Sequence, residues 1–141
     1  MPEESTTPDL VELMRRAIEA INRRDLDAVL SIYAPDAVWE MVPLSRSFEG
    51  HVAVRGFLLD WLGGYEEYVV ELEEVREFGN GVTFAVTSQE GRLVGARDRA
   101  RLRERWAYVF LWVDGMIARL ASHTDIDEAR AAAERLANEP M

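Results

Sequence analysis

The sequence predicts one α+β domain, and three observations predict it. Helical periodicity runs to about residue 62, the pattern changes to alternation at Tyr65, and Asn80-Gly81 and Asp114-Gly115 mark turns between alternating stretches. Runs of strands with helices segregated to one side belong to that class. At 141 residues the chain has the length of one domain, able to bury about two-thirds of its unfolded surface. Residues 1–8 read as a disordered lead, 9–137 as the domain and 138–141 as a tail.

Taken in order, Asp9 can cap a first helix carrying Leu10, Leu13, Met14, Ala17, Ile18 and Ile21 at helical spacing. Asn22 to Arg24 break the pattern. Asp25 can start a second short helix with Leu26, Val29, Leu30 and Tyr33, which Pro35 ends. A short strand, Ala37 to Val42, and a loop, Pro43 to Gly50, lead to a third helix from about His51 to Leu62. Its buried face is Val54, Phe57, Leu58 and Trp61, closed by Gly63 and Gly64. Three long strands follow, Tyr65 to Phe78, Val82 to Leu93 and Ala100 to Val113. After Asp114-Gly115 comes a final strand, Met116 to Thr124, and Asp125 caps a last helix rich in Ala and Arg.

Composition excludes whole reaction classes. The chain has no Cys, two His (His51 and His123), and 16 basic side chains that are all Arg. Thiol nucleophiles, thiolate zinc sites and disulfides are therefore out, as are Schiff-base and phosphate-loop lysines. No metal, nucleotide or other cofactor is expected. With 26 acidic side chains the formal charge is −10, the wrong sign for nucleic acid or an anionic membrane. No basic start precedes an apolar run, and no segment approaches the ~20 apolar residues of a membrane span. The chain reads as cytoplasmic.

Four strings, in order and spacing, carry a resemblance: Asn22-Arg23-Arg24-Asp25-Leu26-Asp27-Ala28, Tyr33-Ala34-Pro35-Asp36-Ala37-Val38-Trp39-Glu40, Phe48-Glu49-Gly50-His51-Val52-Ala53-Val54-Arg55-Gly56-Phe57, and Asp114-Gly115-Met116-Ile117. Over residues 9–137 the chain resembles the nuclear transport factor 2-like superfamily, a cystatin-like α+β barrel, and within it the SnoaL-like group of bacterial proteins. The resemblance implies a cone: a strongly curved, mixed or largely antiparallel sheet wrapped around the first and third helices, with a cavity open at one end. Such proteins include polyketide cyclases, ketosteroid isomerase, limonene epoxide hydrolase and scytalone dehydratase, so the fold alone does not fix the function. Ketosteroid isomerase needs a carboxylate base and an oxyanion pair. The matching positions here are Met41 for the base, Ala17 for its Tyr and, approximately, Tyr108 for its second Asp. The limonene-type hydrolase residues fall on Phe84, Val86 and Ser122, and the cyclase acid falls near Ser122. None of these sets is reproduced.

Alternation suggests which face lines the cavity. Trp106, Tyr108, Phe110 and Trp112 share a face with Leu102 and Glu104 and are expected inside, with Phe84, Val86, Ser88 and Glu90 inside on the preceding strand. Thr83, Ala85, Thr87 and Gln89 then face out. A three-residue Val113-Asp114-Gly115 loop would turn Ala118, Leu120, Ser122 and Thr124 inward, and is favoured because it leaves fewer charges in the core. A two-residue loop would turn in Arg119 and His123. The expected pocket is Ala17, Trp39, Met41, Phe57, Trp61, Phe84, Val86, Trp106, Phe110, Leu120 and Ser122, with Tyr108, Glu90 and Glu104 as candidate catalytic groups. A filled aromatic core and a ligand cage are equally open readings of that stripe, and the two glutamates fit a wet strand end as well as an acid-base role. His51 reads as structural at a helix N-terminus, His123 as lying on the outer face or beside the last helix cap, and Asp60 as near the mouth or solvated.

Arg97, Arg99, Arg101, Arg103 and Arg105 recur at every second residue, answered by Glu67, Glu71, Glu73 and Glu77 two strands away. They read as a cross-sheet ion network or a subunit contact. Ala107, Val109, Leu111 and Ile117 form an apolar row, from which a homodimer through the outer face is expected. The leading functional expectation is a protein that binds a small, largely apolar molecule, as a cofactor-free lyase, isomerase or cyclase or as a carrier. The competing one is a non-catalytic interaction or scaffold domain.

Overall fold

The computed structural model describes residues 9–95 and 102–139. The chain runs α1 (Leu10–Arg23), α2 (Leu26–Leu30), β1 (Tyr33–Met41), β2 (Arg46–Glu49), α3 (Gly50–Gly63), β3 (Tyr65–Gly79), β4 (Val82–Leu93), β5 (Leu102–Val113), β6 (Met116–His123) and α4 (Ile126–Ala137). Asp9, Asp25 and Asp125 cap α1, α2 and α4, each side chain accepting from a backbone N–H three residues on. Residues 1–8, expected as a disordered lead, and Arg97, Arg99 and Arg101 lie outside the described residues.

The six strands form one sheet in the order β2-β1-β6-β5-β4-β3, with β1 parallel to β6 and every other pair antiparallel. β2 was expected as loop. It is short, and one apolar residue, Phe48, does not make a pattern, yet it pairs with β1 as Trp39 opposite Phe48. Tyr33, expected in the second helix, opens β1 instead. Pro35 sits where the β1–β6 register shifts, a place where its missing N–H is tolerated.

Two cores lie on opposite sides of the sheet. The inner one joins Met14, Val29, Tyr33, Trp39, Val54 and Leu58 to Phe110, Trp112, Ile117 and Leu120. The outer one packs Val82, Phe84, Val86, Ala107 and Val109 under Ala129, Ala133 and Ala137 of α4. α1 is clamped to edge strand β3 by a reciprocal pair: Asn22 Nδ2 donates to Val70 O at 3.0 Å, and Asn22 Oδ1 accepts from Val70 N at 2.8 Å.

The outer core corrects the expected facing of β4. Phe84 and Val86 lie beneath α4, with the Arg130 guanidinium 4.8 Å from the Phe84 ring centroid. Ser88 and Glu90 share that outer face, Glu90 opposite Arg103. Thr83, Ala85, Thr87 and Gln89 face inward, directly opposite Phe110, Tyr108, Trp106 and Glu104. β4 is buried on both sides, so polarity alone misassigned it: the apolar residues serve α4 and the small, polar ones the cavity.

β6 is corrected in detail. Asp114-Gly115 is a two-residue turn, both residues at positive φ, pairing Val113 with Met116 and Trp112 with Ile117. A bulge at Ala118 then shifts the register so that Leu120 faces Phe110 and Ser122 faces Tyr108. The bulge thus brings Leu120 and Ser122 inward despite the shorter turn, while Arg119 and Thr124 are exposed. His123 lies opposite Ala107 on the outer face, 3.4 Å from Glu128 of α4.

The row expected as a dimer face is not an open apolar surface. Ala107 and Val109 are covered by α4, Ile117 belongs to the inner core, and Leu111 is half-buried. Of the charge ladder, Arg105 bridges β4 to reach Glu73 at 2.8 Å, as a cross-sheet pair would.

Candidate functional site

The concave face of the sheet, α1 and α3 enclose a cavity with two lobes. One, about 60 Å³, lies among Trp39, Met41, Phe57, Trp61, Trp106 and Ser122. The other, about 70 Å³, lies among Ala17, Tyr33, Ala85, Thr87, Phe110 and Leu120. Trp39, Val70 and Tyr108 line both and form their junction.

Each indole in this region has a hydrogen-bond acceptor, as a buried Trp requires. Trp39 Nε1 donates to Ser122 Oγ at 2.6 Å, Trp61 Nε1 to the Tyr68 hydroxyl at 3.0 Å, and Trp106 Nε1 to Glu104 Oε1 at 3.1 Å. The Trp61 and Trp106 rings meet edge to face at 5.9 Å, and Phe57 stands edge-on to Trp39 at 5.2 Å. The lining is thus aromatic, with each of its indoles tied by a hydrogen bond.

Gln89, 4% exposed, is the polar centre. Its Oε1 accepts from the Tyr68 hydroxyl, and its Nε2 donates to the Tyr108 oxygen and, at 3.1 Å, to Thr87 Oγ1. Burial pushes the Tyr108 phenol up to about 12, with the hydrogen bonds from Gln89 and Thr87 pulling the other way and the Glu104 charge adding to the rise. Burial also raises Tyr68 and Tyr33. All three phenols are neutral donors or acceptors at physiological pH.

Ten of the expected site residues line the lobes: Ala17, Trp39, Met41, Phe57, Trp61, Trp106, Tyr108, Phe110, Leu120 and Ser122. Phe84, Val86 and Glu90 do not, being on the outer face. Glu104 is exposed at the strand end and serves as Trp106's acceptor. Asp60 is exposed, and His51 Nε2 lies 2.9 Å from Tyr33 O, a structural contact. Sequence reasoning missed Gln89, Tyr68 and Thr87. The β3–β4 register hid them: counting straight back from Asn80-Gly81 sets Gln89 opposite Leu72 and Thr87 opposite Glu74, whereas bulges in β3 set Gln89 opposite Val70 and Thr87 opposite Leu72.

A curved six-stranded sheet closed around N-terminal helices, with a cavity on its concave side, is the nuclear transport factor 2-like, ketosteroid isomerase-like architecture. Residues 14–120 match the family model of the SnoaL-like domain, and the chain belongs to that family. A search of curated protein sequences gives no match. Among solved structures, the chain is similar to an NTF2-like protein of unknown function from Burkholderia pseudomallei, with 22% identity, TM-score 0.73 and coverage of 86% of this chain and 95% of that one. It is also similar to a candidate polyketide cyclase from Sinorhizobium meliloti, at 27% identity, TM-score 0.66 and coverage of 83% and 95%. A third similar structure is TerC co-crystallised with polyporic acid, at 16% identity, TM-score 0.70 and coverage of 88% and 97%.

Proposed function

We propose that this protein binds a small, largely apolar molecule in the two-lobed cavity, holding it by aromatic contact and by a hydrogen bond from Tyr108. The observation that carries the reading is a half-buried phenol that lines both aromatic lobes. Among the described residues neither lobe is lined by a carboxylate, an imidazole or a guanidinium. That lining favours binding, with polarisation of a carbonyl oxygen, over proton abstraction by a carboxylate base. An isomerase, cyclase or lyase step in this cavity would draw its electrophilic help from Tyr108. The similarity to a candidate polyketide cyclase and to a protein co-crystallised with polyporic acid supports an organic ligand.

Tyr108→Phe, which removes only the hydroxyl, tests this. Affinity for cyclopentanone, a probe on the scale of the lobes, is expected to fall about tenfold. Stability is expected to fall by about 1 kcal/mol, because Gln89 loses one of its two acceptors. Unchanged affinity with a lowered melting temperature would make Tyr108 a core residue and overturn the assignment. Native mass spectrometry of freshly purified protein is the companion experiment, identifying any co-purified ligand.

A further inference from the structure

Trp61, Tyr68, Gln89, Thr87 and Tyr108 form one hydrogen-bonded chain, and its proton directions are set from one end. An indole N–H can only donate, so the Tyr68 oxygen accepts from Trp61. The Tyr68 proton then goes to Gln89 Oε1, which orients the amide. Its NH2 group is left facing Thr87 and Tyr108, with one proton for each oxygen. Thr87 lies against the same phenol and, like Gln89, favours negative charge on its oxygen. Gln89 and Thr87 both act as donors toward the Tyr108 oxygen, which leaves the phenol's own proton as the part it can offer a ligand. The phenol lies at the junction of the two lobes.

We propose that Gln89 is a positioning residue that makes the cavity a one-way hydrogen-bond site. By donating to the Tyr108 oxygen, Gln89 commits the phenol to donating to the ligand, and so selects small apolar molecules that carry a carbonyl-type acceptor oxygen. A ligand whose polar group is an N–H with no acceptor lone pair, as in pyrrole, would set proton against proton and leave two donors unpaired. This deepens the binding reading above and rests on it.

The test uses two pairs of similar shape, read by titrating the indole N–H NMR signals of Trp39 and Trp61. Cyclopentanone and methylenecyclopentane differ only in C=O against C=CH2, and the ketone is expected to bind about tenfold more tightly. Pyrrole, which only donates, is expected to bind no better than thiophene. In Gln89→Glu the carboxylate takes the Tyr108 proton, so the ketone loses its advantage and pyrrole gains one. Equal binding of ketone and alkene, or an advantage for pyrrole in the wild-type protein, overturns the inference while the cavity remains a binding site. Unchanged ratios in Gln89→Glu overturn the role of Gln89. Absence of binding by all four probes overturns the cavity reading and the inference together. The wild-type ratios decide the proton direction even where the buried Glu prevents folding.

Discussion

The side chain of Ser122 shows how closely the cavity's aromatic wall depends on single polar atoms. It is 1% exposed, and its Oγ accepts from the Trp39 indole at 2.6 Å. Ser122→Ala leaves that N–H buried and unpaired, so unfolding free energy is expected to fall by about 1–3 kcal/mol, as measured by urea titration. A loss below a few tenths would show that the indole finds another acceptor. Residues of this kind were partly legible in the sequence. The row Trp106, Tyr108, Phe110 and Trp112 declared its face because aromatic rings at every second position of a strand all point to one side, and that much apolar area is costly to leave in water. Gln89 did not, because a glutamine on a strand carries the same signature as a solvent-facing residue until its cross-strand partners are known.

Among the elements, β4 decides the architecture, being buried between the cavity and α4. Its turn depends on Gly81, at φ 77°, where an added Cβ would stand 2.7 Å from the Trp112 carbonyl oxygen. Gly81→Ala is expected to destabilise the fold by about 1–3 kcal/mol through strain and that clash. A variant as stable as wild type would contradict the placement of the turn. Ala133 of α4 is fully buried over the outer face of β4 and β5, so Ala133→Leu should cost about 1–3 kcal/mol by overpacking. A neutral effect would mean that the helix does not lie there. α4 is also tied to β3 by Arg130, which donates to Glu74 at 2.8 Å and, with that hydrogen bond foremost, holds the Glu74 carboxyl below its ordinary 4.5. A depressed folded-state pKa stabilises above the unfolded value and is lost as pH falls through the folded one. Stability should therefore decline on acidification below about 4.5, and Glu74→Gln should flatten that part of the pH profile. An unchanged profile would remove the pair from the account. The alternating and helical stretches were legible in order and nearly in boundary, because each has a clear period and an Asp cap or Gly turn. β2 and the bulge at Ala118 were not, since a four-residue strand with one apolar side chain and a one-residue register shift leave no periodic trace.

On the scale of the whole molecule, one sheet with a core on each face makes clear why apolar residues could not be sorted by sequence into inside and outside. The helices on the concave side leave two small lobes, and the helix on the convex side claims the apolar positions that would otherwise have pointed to a cavity or to a dimer face. The central claim is that the lobes together take up a small apolar molecule. The four tryptophans provide the direct measurement, because Trp39, Trp61 and Trp106 line the cavity while Trp112 donates to Thr83 at 2.9 Å outside both lobes. In a titration with cyclopentanone followed by the indole N–H resonances, the first three should shift saturably with one shared dissociation constant while Trp112 stays in place. No saturable change, or equal shifts at all four indoles, would contradict the claim.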